Sequence, residues 1–250
     1  MKTKAIVTIV GFGIMGKAIA RATRKKNPSI VIFTVDKNKK DTSGIKKSDF
    51  IILAVKPQDA PNAIKQLQNY GISKKTILIS IMAGVSIKKL LSLSGHKKII
   101  RMMPNLGLSV GAGIAVWKGV GLSKQEAKKA KNFIGSITEN FEVQSEEAIN
   151  KATAISGSGP AYFFLLAEAI RKTAAKLGFK EKEAKILTEK TLIASAKLGE
   201  SADYLNLINK VASRGGTTET ALQYFKRKNF DKIVENAIRS ALKRAKELSS

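Results

Sequence analysis

Residues 5–16, AIVTIVGFGIMG, decide the fold of this chain. An apolar, β-branched run ends in Gly11-x-Gly13-x-x-Gly16, and residues 17–24 then have the pattern of a helix start. In such a strand–turn–helix, the first glycine permits a tight turn, the second lets the backbone approach a pyrophosphate, and the third lets the helix pack against the strand. The amides at the helix N-terminus and the positive end of its dipole favour phosphate groups. The stretch therefore predicts a dinucleotide site.

A carboxylate at the end of the next apolar run supports this prediction. The run IVIFTV at residues 30–35 is followed by Asp36, twenty residues after Gly16. In a dinucleotide site, an acid here accepts hydrogen bonds from the adenosine ribose and disfavours a 2′-phosphate. Lys37, Lys39 and Lys40 come directly afterwards and could instead hold that phosphate. Both NADH and NADPH remain open as cofactors.

The composition excludes several kinds of chemistry. The 250 residues contain no cysteine and one histidine, so disulfides, thiolate–metal sites and a Ser-His-Asp triad are ruled out as expectations, and no metal site is expected. His96 follows Ser94-Gly95 in a predicted loop, where we expect a solvated side chain without a role. No secretion signal or membrane anchor is visible, which favours a cytoplasmic location.

The net charge of +26 points to anionic partners in general. Nucleic acid, acidic membranes and small anions would all be attracted by such a field. The basic residues are chiefly lysines, scattered singly or in pairs without a long basic block. This pattern favours a solvated surface that draws in an anionic small-molecule substrate over specific binding of nucleic acid.

Hydrophobic periodicity predicts an alternating α/β arrangement in the first part of the chain. Further strands are predicted at residues 50–55, 76–81, 99–103, 110–117 and 141–143, and helices at 61–70, 87–93 and 123–134, the last with Ser123 and Glu126 as a capping box. The segment after Asp36 is too short for a crossover helix and should be a loop. Because parallel strands end at a common edge, one crevice should gather Gly11–Gly16, Asp36, Lys56, Pro57, Ala83 and Asn105.

The remainder of the chain is predicted to be helical. Residues 156–160, SGSGP, should break the chain ahead of a helix at 161–177, which is apolar on nearly every side and therefore expected to be buried all round. Further helices are predicted at 183–198 and, clearly amphipathic, at 230–248. Their surplus apolar faces indicate burial against a second subunit. We expect an α/β dinucleotide-binding domain over residues 1–147 and an all-α domain over 148–250.

A second candidate site lies at residues 211–218, VASRGGTT, ahead of a predicted helix at 219–225. Two glycines and two threonines at a helix start form a nest of backbone N–H donors that fits a carboxylate. A plain helix cap, with Thr217 or Thr218 bonding the first amides, explains the pattern equally well.

Six motifs in this order resemble pyrroline-5-carboxylate reductase, which reduces a cyclic imine to proline. They span nearly the whole chain, and the last two are far more specific than the glycine motif: GFGIMG (11–16), AVKPQ (54–58), SIMAGVSI (80–87), RMMPN (101–105), TAISGSGPAY (153–162) and GGTTETAL (215–222). The resemblance implies an N-terminal Rossmann-type dinucleotide-binding domain followed by an all-α C-terminal dimerisation domain. It also implies NADPH or NADH as hydride donor, and a homodimer that can gather into larger rings.

The resemblance also implies residue roles. The cofactor residues would be Gly11, Phe12, Gly13, Ile14, Met15, Gly16, Asp36, Lys37, Ala54, Val55, Lys56, Pro57, Ile81, Met82 and Ala83, with Pro104 and Asn105 near the nicotinamide. The substrate residues would be Ser213, Gly215, Gly216, Thr217 and Thr218; the amides of the turn would hold the carboxylate, and the Thr218 hydroxyl would approach the ring nitrogen. A protonated imine is already electrophilic, so the site mainly aligns the reactants, and no histidine or cysteine acid is required.

The chain departs from the family pattern at four places near the predicted substrate site. Leu106-Gly107 stands where the family usually has Thr-Pro, Asn150 where an acid is common, Asp203-Tyr204 for His-Pro, and Arg214 for a proline. These changes leave two alternatives open: a related imine or hydroxyacid reductase, and a non-catalytic relative that binds nucleotide.

Overall fold

A computed structural model describes residues 5–36 and 39–249. Lys37 and the side chains of Lys39 and Lys40 lie outside what is described. Contacts divide the chain into two compact units: the first comprises the residues up to Pro160 together with those from Ser240 onward, and the second spans Ala161–Arg239. Within the described residues, no helix is both long and apolar enough to span a membrane.

The described part of the first unit is built on an eight-stranded sheet of order β3-β2-β1-β4-β5-β6-β7-β8. The strands β2, β1, β4, β5 and β6 run parallel, β3 is antiparallel to β2, β7 is antiparallel to β6, and β8 is parallel to β7. Their bounds are β1 Ile6–Val10, β2 Val31–Asp36, β3 Lys39–Lys40, β4 Phe50–Leu53, β5 Ile77–Ser80, β6 Ile99–Pro104, β7 Ile114–Val120 and β8 Glu139–Glu142.

The central strands are buried on both faces, as the continuous apolar runs predicted. Successive side chains of β4 alternate between two core clusters: Phe50 and Ile52 belong to one, and Ile51 and Leu53 to the other. The first cluster includes Ile19 of α1 and Ile134 of α4, and the second includes Ile64 of α2 and Leu90 of α3. Helices therefore cover both faces of the sheet, which confirms the α/β class.

Most predicted helices are present within a few residues of the expected ends. The helices are α1 Ile14–Lys26, α2 Ala60–Asn69, α3 Ile87–Ser94, α4 Lys124–Gly135, α5 Glu146–Ala152, α6 Gly159–Lys176, α7 Glu181–Gly199, α8 Tyr204–Val211, α9 Thr217–Arg227 and α10 Phe230–Ser249. The capping box is confirmed, because Ser123 Oγ accepts from the Glu126 amide and the Glu126 carboxylate accepts from the Ser123 amide. The helices α5 and α8 were not predicted.

Three local predictions were wrong. The strand predicted from residue 110 begins at Ile114, because Leu106–Val110 form a 3₁₀ turn that ends at Gly111 with φ +80°. The SGSGP segment breaks the chain at one residue rather than over its whole length: Thr153–Gly157 continue α5 as a π-helix, Ser158 forms a turn, and α6 begins at Gly159. The loop after Asp36 contains the short antiparallel strand β3, which was not expected.

Burial of α6 on all sides was also wrong for the single chain. Phe163, Phe164 and Leu165 are 62%, 59% and 73% exposed. These are the surplus apolar faces from which the sequence indicated a second subunit, so the burial expected for α6 requires a partner rather than the chain's own core.

His96 is not an idle side chain. Its Nε2 lies 2.6 Å from the carbonyl oxygen of Thr76, the residue that precedes β5, and the ring is half-buried. The histidine therefore ties the turn after α3 to the start of a central strand.

Acid should weaken the contact between α4 and β6. Hydrogen bonds from the Lys98 ammonium and the Ser123 amide hold the pKa of Glu126 at about 2, against an ordinary value of 4.5. Because the folded pKa is depressed, this carboxylate stabilises the fold above pH 4.5 and loses its contribution as the pH falls toward 2. We expect Glu126→Gln to lower the urea midpoint at pH 7, and the gap from the wild type to close between those two pH values. Glu142→Gln, at an exposed position of β8, is the control; an equal gap at both ends of the range would contradict the assignment.

Candidate active site

A cleft of about 540 Å³ opens at the carboxyl ends of the central parallel strands. Its lining comes from the loops that follow β1, β2 and β4 and from the first turns of α2: Val10, Gly11, Phe12, Gly13, Val35, Asp36, Ala54, Val55, Lys56, Asp59, Asn62, Ala63 and Gln66. This is the edge of an open α/β sheet where ligands bind, and the volume is in the range of small-molecule sites.

Gly11 ties three strands together at the bottom of this cleft. Its amide donates to the carbonyl of Val35 (2.8 Å), and the Ala54 amide donates to the carbonyl of Val10 (2.7 Å). The backbone has φ +92°, and a Cβ at Gly11 would lie 2.7 Å from the carbonyl carbon of Ala54. Only glycine meets both conditions.

The other two glycines differ in what they contact. A Cβ at Gly16 would lie 2.2 Å from the carbonyl oxygen of Gly11, so the protein's own packing requires glycine there. At Gly13, the N-cap of α1, a Cβ would meet no described atom within 4 Å. The space in front of Gly13 is therefore open to a ligand, as expected where a pyrophosphate approaches the backbone.

The lining of the cleft carries both signs of charge. Asp36 is half-buried at the carboxyl end of β2, with Lys56 and Asp59 in the same lining. The register of β3 places Lys39 opposite Asp36. The backbone of Lys39, one of the residues that left the choice between NADH and NADPH open, therefore lies beside Asp36 on the neighbouring strand.

The contribution of α2 to the cleft was not predicted from the sequence. Asp59, Asn62 and Gln66 line the cleft from this helix and from the turn before it. Their spacing of three and four residues on a helix that follows a buried strand is the signal that would have found them.

The other described residues that were predicted to bind the cofactor are not among those that line this cleft. Ile14 and Met15 lie on the first turn of α1 above the buried Gly16, and Pro57 begins a 3₁₀ turn. The Met82 side chain is buried in the core. A ligand at the loop after β5 would therefore contact the backbone of Met82 rather than its side chain. These residues keep their roles as predictions.

Asn105 holds the connection between β6 and β7. Its amide donates to the Ile114 carbonyl (3.1 Å), and its Oδ1 accepts from the Ile114 amide (3.1 Å). The side chain therefore fixes the end of β6, beside the edge where the cleft opens. Its proximity to a nicotinamide stays a prediction.

In the second unit, the predicted substrate turn leads into α9. Gly215 has φ +71°, and its amide donates to Glu219 Oε2 (2.6 Å), while the Gly216 amide donates to the Ser213 carbonyl (2.9 Å). Two of the amides expected to hold a carboxylate are therefore bonded internally. The amides of Thr217 and Thr218 head the helix, where N–H groups lack partners within an α-helix.

The plain helix cap is not what the structure shows. The N-cap of α9 is Gly216, and among the described residues it receives no side-chain cap. Thr217 and Thr218 lie inside the first turn, the former exposed and the latter half-buried. Neither threonine is therefore the N-cap residue, because both lie within the first turn of the helix.

Three of the departures from the family pattern have local structural reasons. A Cβ at Gly107 would lie 2.5 Å from the carbonyl oxygen of Ala112, so the turn after β6 excludes a proline ring there. Asp203 caps α8, because its Oδ1 accepts from the amides of Leu205 and Asn206. Asn150 is buried and accepts a hydrogen bond from Arg101.

The fold and the cleft define a dinucleotide-binding protein of the Rossmann class with a helical C-terminal region. Two family models match the chain: "Pyrroline-5-carboxylate reductase dimerisation" over residues 146–248 and "NADP oxidoreductase coenzyme F420-dependent" over residues 39–84. The chain is 34% identical to the pyrroline-5-carboxylate reductase of Aquifex aeolicus, with 97% of each chain covered. It belongs to the pyrroline-5-carboxylate reductase family and carries the dimerisation domain of that family.

Solved structures agree with this assignment. The pyrroline carboxylate reductase of Plasmodium falciparum with NADP bound has a TM-score of 0.87 and 27% identity, with 98% of each chain covered. The pyrroline-5-carboxylate reductase of Coxiella burnetii has a TM-score of 0.86 and 28% identity, covering 99% of this chain and 100% of the other.

Substitution at two glycines should separate ligand binding from folding. Gly13→Val fills open space, so we expect a loss of stability of at most about 1 kcal/mol from the poorer N-cap, but a loss of roughly tenfold or more in affinity for reduced nicotinamide cofactor. Gly16→Ala forces a Cβ against a carbonyl oxygen and should lower the melting temperature clearly. Cofactor titration and thermal denaturation of both variants measure this; unchanged titration of Gly13→Val would refute the phosphate site.

Proposed function

We propose that the protein catalyses the NAD(P)H-dependent reduction of 1-pyrroline-5-carboxylate to L-proline, the last step of proline biosynthesis. The single observation that carries the proposal is the 34% identity to the pyrroline-5-carboxylate reductase of Aquifex aeolicus over 97% of each chain. It is an oxidoreductase acting on a CH–NH bond, with NADPH or NADH as cofactor.

The residues present fit such a cofactor. The open space at Gly13 admits a pyrophosphate at the N-terminus of α1, and Asp36 with Lys56 flanks the adenosine end. The bound cofactor would supply a hydride to the imine carbon. The chain's task is then to hold the dinucleotide along the sheet edge so that its nicotinamide meets the substrate in one orientation.

The substrate's carboxylate is assigned to the start of α9. The amides of Thr217 and Thr218 and the positive end of the helix dipole favour an anion at this position. The Thr218 hydroxyl would then lie near the ring nitrogen and help to hold the imine in its protonated form, while Ser213, Gly215 and Gly216 shape the turn. Because the protonated imine is already electrophilic, alignment supplies most of the acceleration.

The proposal includes the assembly and the location. The exposed apolar side chains of α6 support a homodimer formed through the helical region, and a larger ring of dimers is its extension. We place the boundary between the two domains at residues 147–148, supported by the dimerisation match that begins at residue 146. The proposal places the protein in the cytoplasm.

Arg214 favours one alternative function. It is exposed in the turn where the family usually has a proline, and it adds a charge beside the proposed carboxylate site. A related reductase for another small imino or keto acid would use this charge.

Turnover tests the proposal directly. Purified protein with reduced cofactor and pyrroline-5-carboxylate should oxidise the cofactor, followed at the nicotinamide absorbance band. Turnover only with another imine or keto acid would favour the alternative reductase. Absence of turnover together with intact cofactor binding would favour a non-catalytic relative.

Thr218→Ala should impair turnover far more than cofactor binding. Loss of one hydrogen bond to the reacting imine predicts a fall in kcat/KM of roughly 10- to 100-fold, with the cofactor dissociation constant unchanged. Thr220→Ala is the matched control, since the Thr220 hydroxyl donates back to the Gly216 carbonyl on the same helix. Wild-type kinetics in Thr218→Ala would remove this hydroxyl from the mechanism.

A further inference from the structure

The last turn of α10 is part of the first unit and packs against its other segment. Lys246 Nζ donates to Glu147 Oε1 (3.0 Å), and Ala245 is buried. Leu248 and Ser249 make the two contacts that connect this turn to the sheet edge. We call residues 245–249 the latch.

Ser249 accepts one of the hydrogen bonds of a buried arginine. Arg101, in β6, is 1% exposed; its Nη1 donates to Glu146 Oε1 (2.8 Å) and its Nη2 to Asn150 Oδ1 (2.7 Å) and Ser249 Oγ (3.3 Å). Among the described residues, Arg101 Nε has no partner. A buried guanidinium with one unsatisfied donor already is costly, and loss of the Ser249 bond would raise that cost.

The same cluster fixes the start of α3. Glu146 Oε1, which accepts from Arg101, also accepts from the amide of Ile87 (2.9 Å), the first residue of α3. The loop of residues 81–86 joins β5 to this point. The C-terminal end of the loop is therefore held by Glu146, which also binds Arg101.

Leu248 covers the middle of this loop. Gly84 has φ +72°, and a Cβ there would lie 2.4 Å from Leu248 Cβ and 2.8 Å from the Leu248 carbonyl oxygen. The backbone of the loop thus lies directly against the latch. The contact is made by the backbone and the Cβ of Leu248, so removal of this Cβ would leave a gap beside Gly84.

The loop lies where the nicotinamide half of a bound cofactor would be. The order β2-β1-β4-β5 puts Asp36, the glycine turn and the 81–86 loop along one carboxyl edge. Neighbouring strands are about 4.8 Å apart, so β5 is roughly 10 Å from β1. A dinucleotide with its adenosine at β2 and its pyrophosphate at β1 extends its other half toward β5.

We propose that the latch positions the 81–86 loop against the nicotinamide half of the cofactor, with Leu248 and Ser249 as positioning residues. The inference rests on the proposed function, because it takes the cofactor to be a nicotinamide dinucleotide. The contacts described above connect the latch to Gly84 and Arg101, on the side of the sheet edge formed by β5 and β6, so we expect its effect on the nicotinamide half of the ligand.

Two ligands separate this role from a general loss of structure. NADH contains both halves of the dinucleotide, whereas ADP-ribose lacks the nicotinamide. In the full chain, Leu248→Gly, which removes the Cβ beside Gly84, and Ser249→Ala should weaken NADH binding by roughly five- to tenfold and leave ADP-ribose binding within about twofold. Nicotinamide fluorescence and calorimetry give the two dissociation constants, and the KM for NADH should rise with the first. Leu248→Ala, which keeps the Cβ, should restore NADH binding.

Arg244→Ala is the matched control, because Arg244 is exposed on the preceding turn of α10 and pairs with Glu247 of the same helix. Equal weakening of both ligands in the latch variants, or no weakening of either, would overturn the latch. Binding of both ligands by a wild-type protein that does not reduce pyrroline-5-carboxylate would refute the proposed reaction alone, and the two constants would still decide the latch. Failure of the wild type to bind either ligand would overturn both.

Discussion

The close approach of three backbone segments at the first glycine turn is the constraint on which the structure depends. The carbonyl oxygen of Gly11 lies where a Cβ of Gly16 would be, and Gly11 itself lies against Ala54. These contacts set the distance between α1 and the sheet and fix the ends of β1, β2 and β4 relative to one another. The cleft exists because no side chain occupies this junction.

Much of the first unit was predictable from sequence because its signals are local. The apolar runs of β4 and β5, the glycine spacing and the capping box at Ser123 each act within a few residues. The sheet edge then follows from the rule that parallel strands end together, which brought Gly11, Asp36 and Lys56 into one cleft.

The errors arise where distant parts of the chain decide local structure. The 3₁₀ turn at Leu106–Val110 depends on Asn105 bonding to Ile114 across it, and β-like composition in this segment concealed the turn. The exposed faces of α6 are as apolar as a protein core, although they are not buried within the chain. Asn150 was noted as a departure from the family pattern. Its contacts with Arg101 and Ser249 join residues that are 49 and 99 positions apart, and hydrophobic periodicity cannot predict contacts over such separations.

The first unit is discontinuous along the chain, because residues 161–239 form the second unit between its two segments. Closing a flexible loop of that length costs about 4 kcal/mol of chain entropy. A folded second unit holds its own two ends at a fixed separation and removes part of that cost before α10 reaches Arg101. The free energies of folding of the two units are therefore coupled through chain connectivity. Unfolding of the second unit should weaken the hydrogen bond between the end of α10 and Arg101 of the sheet.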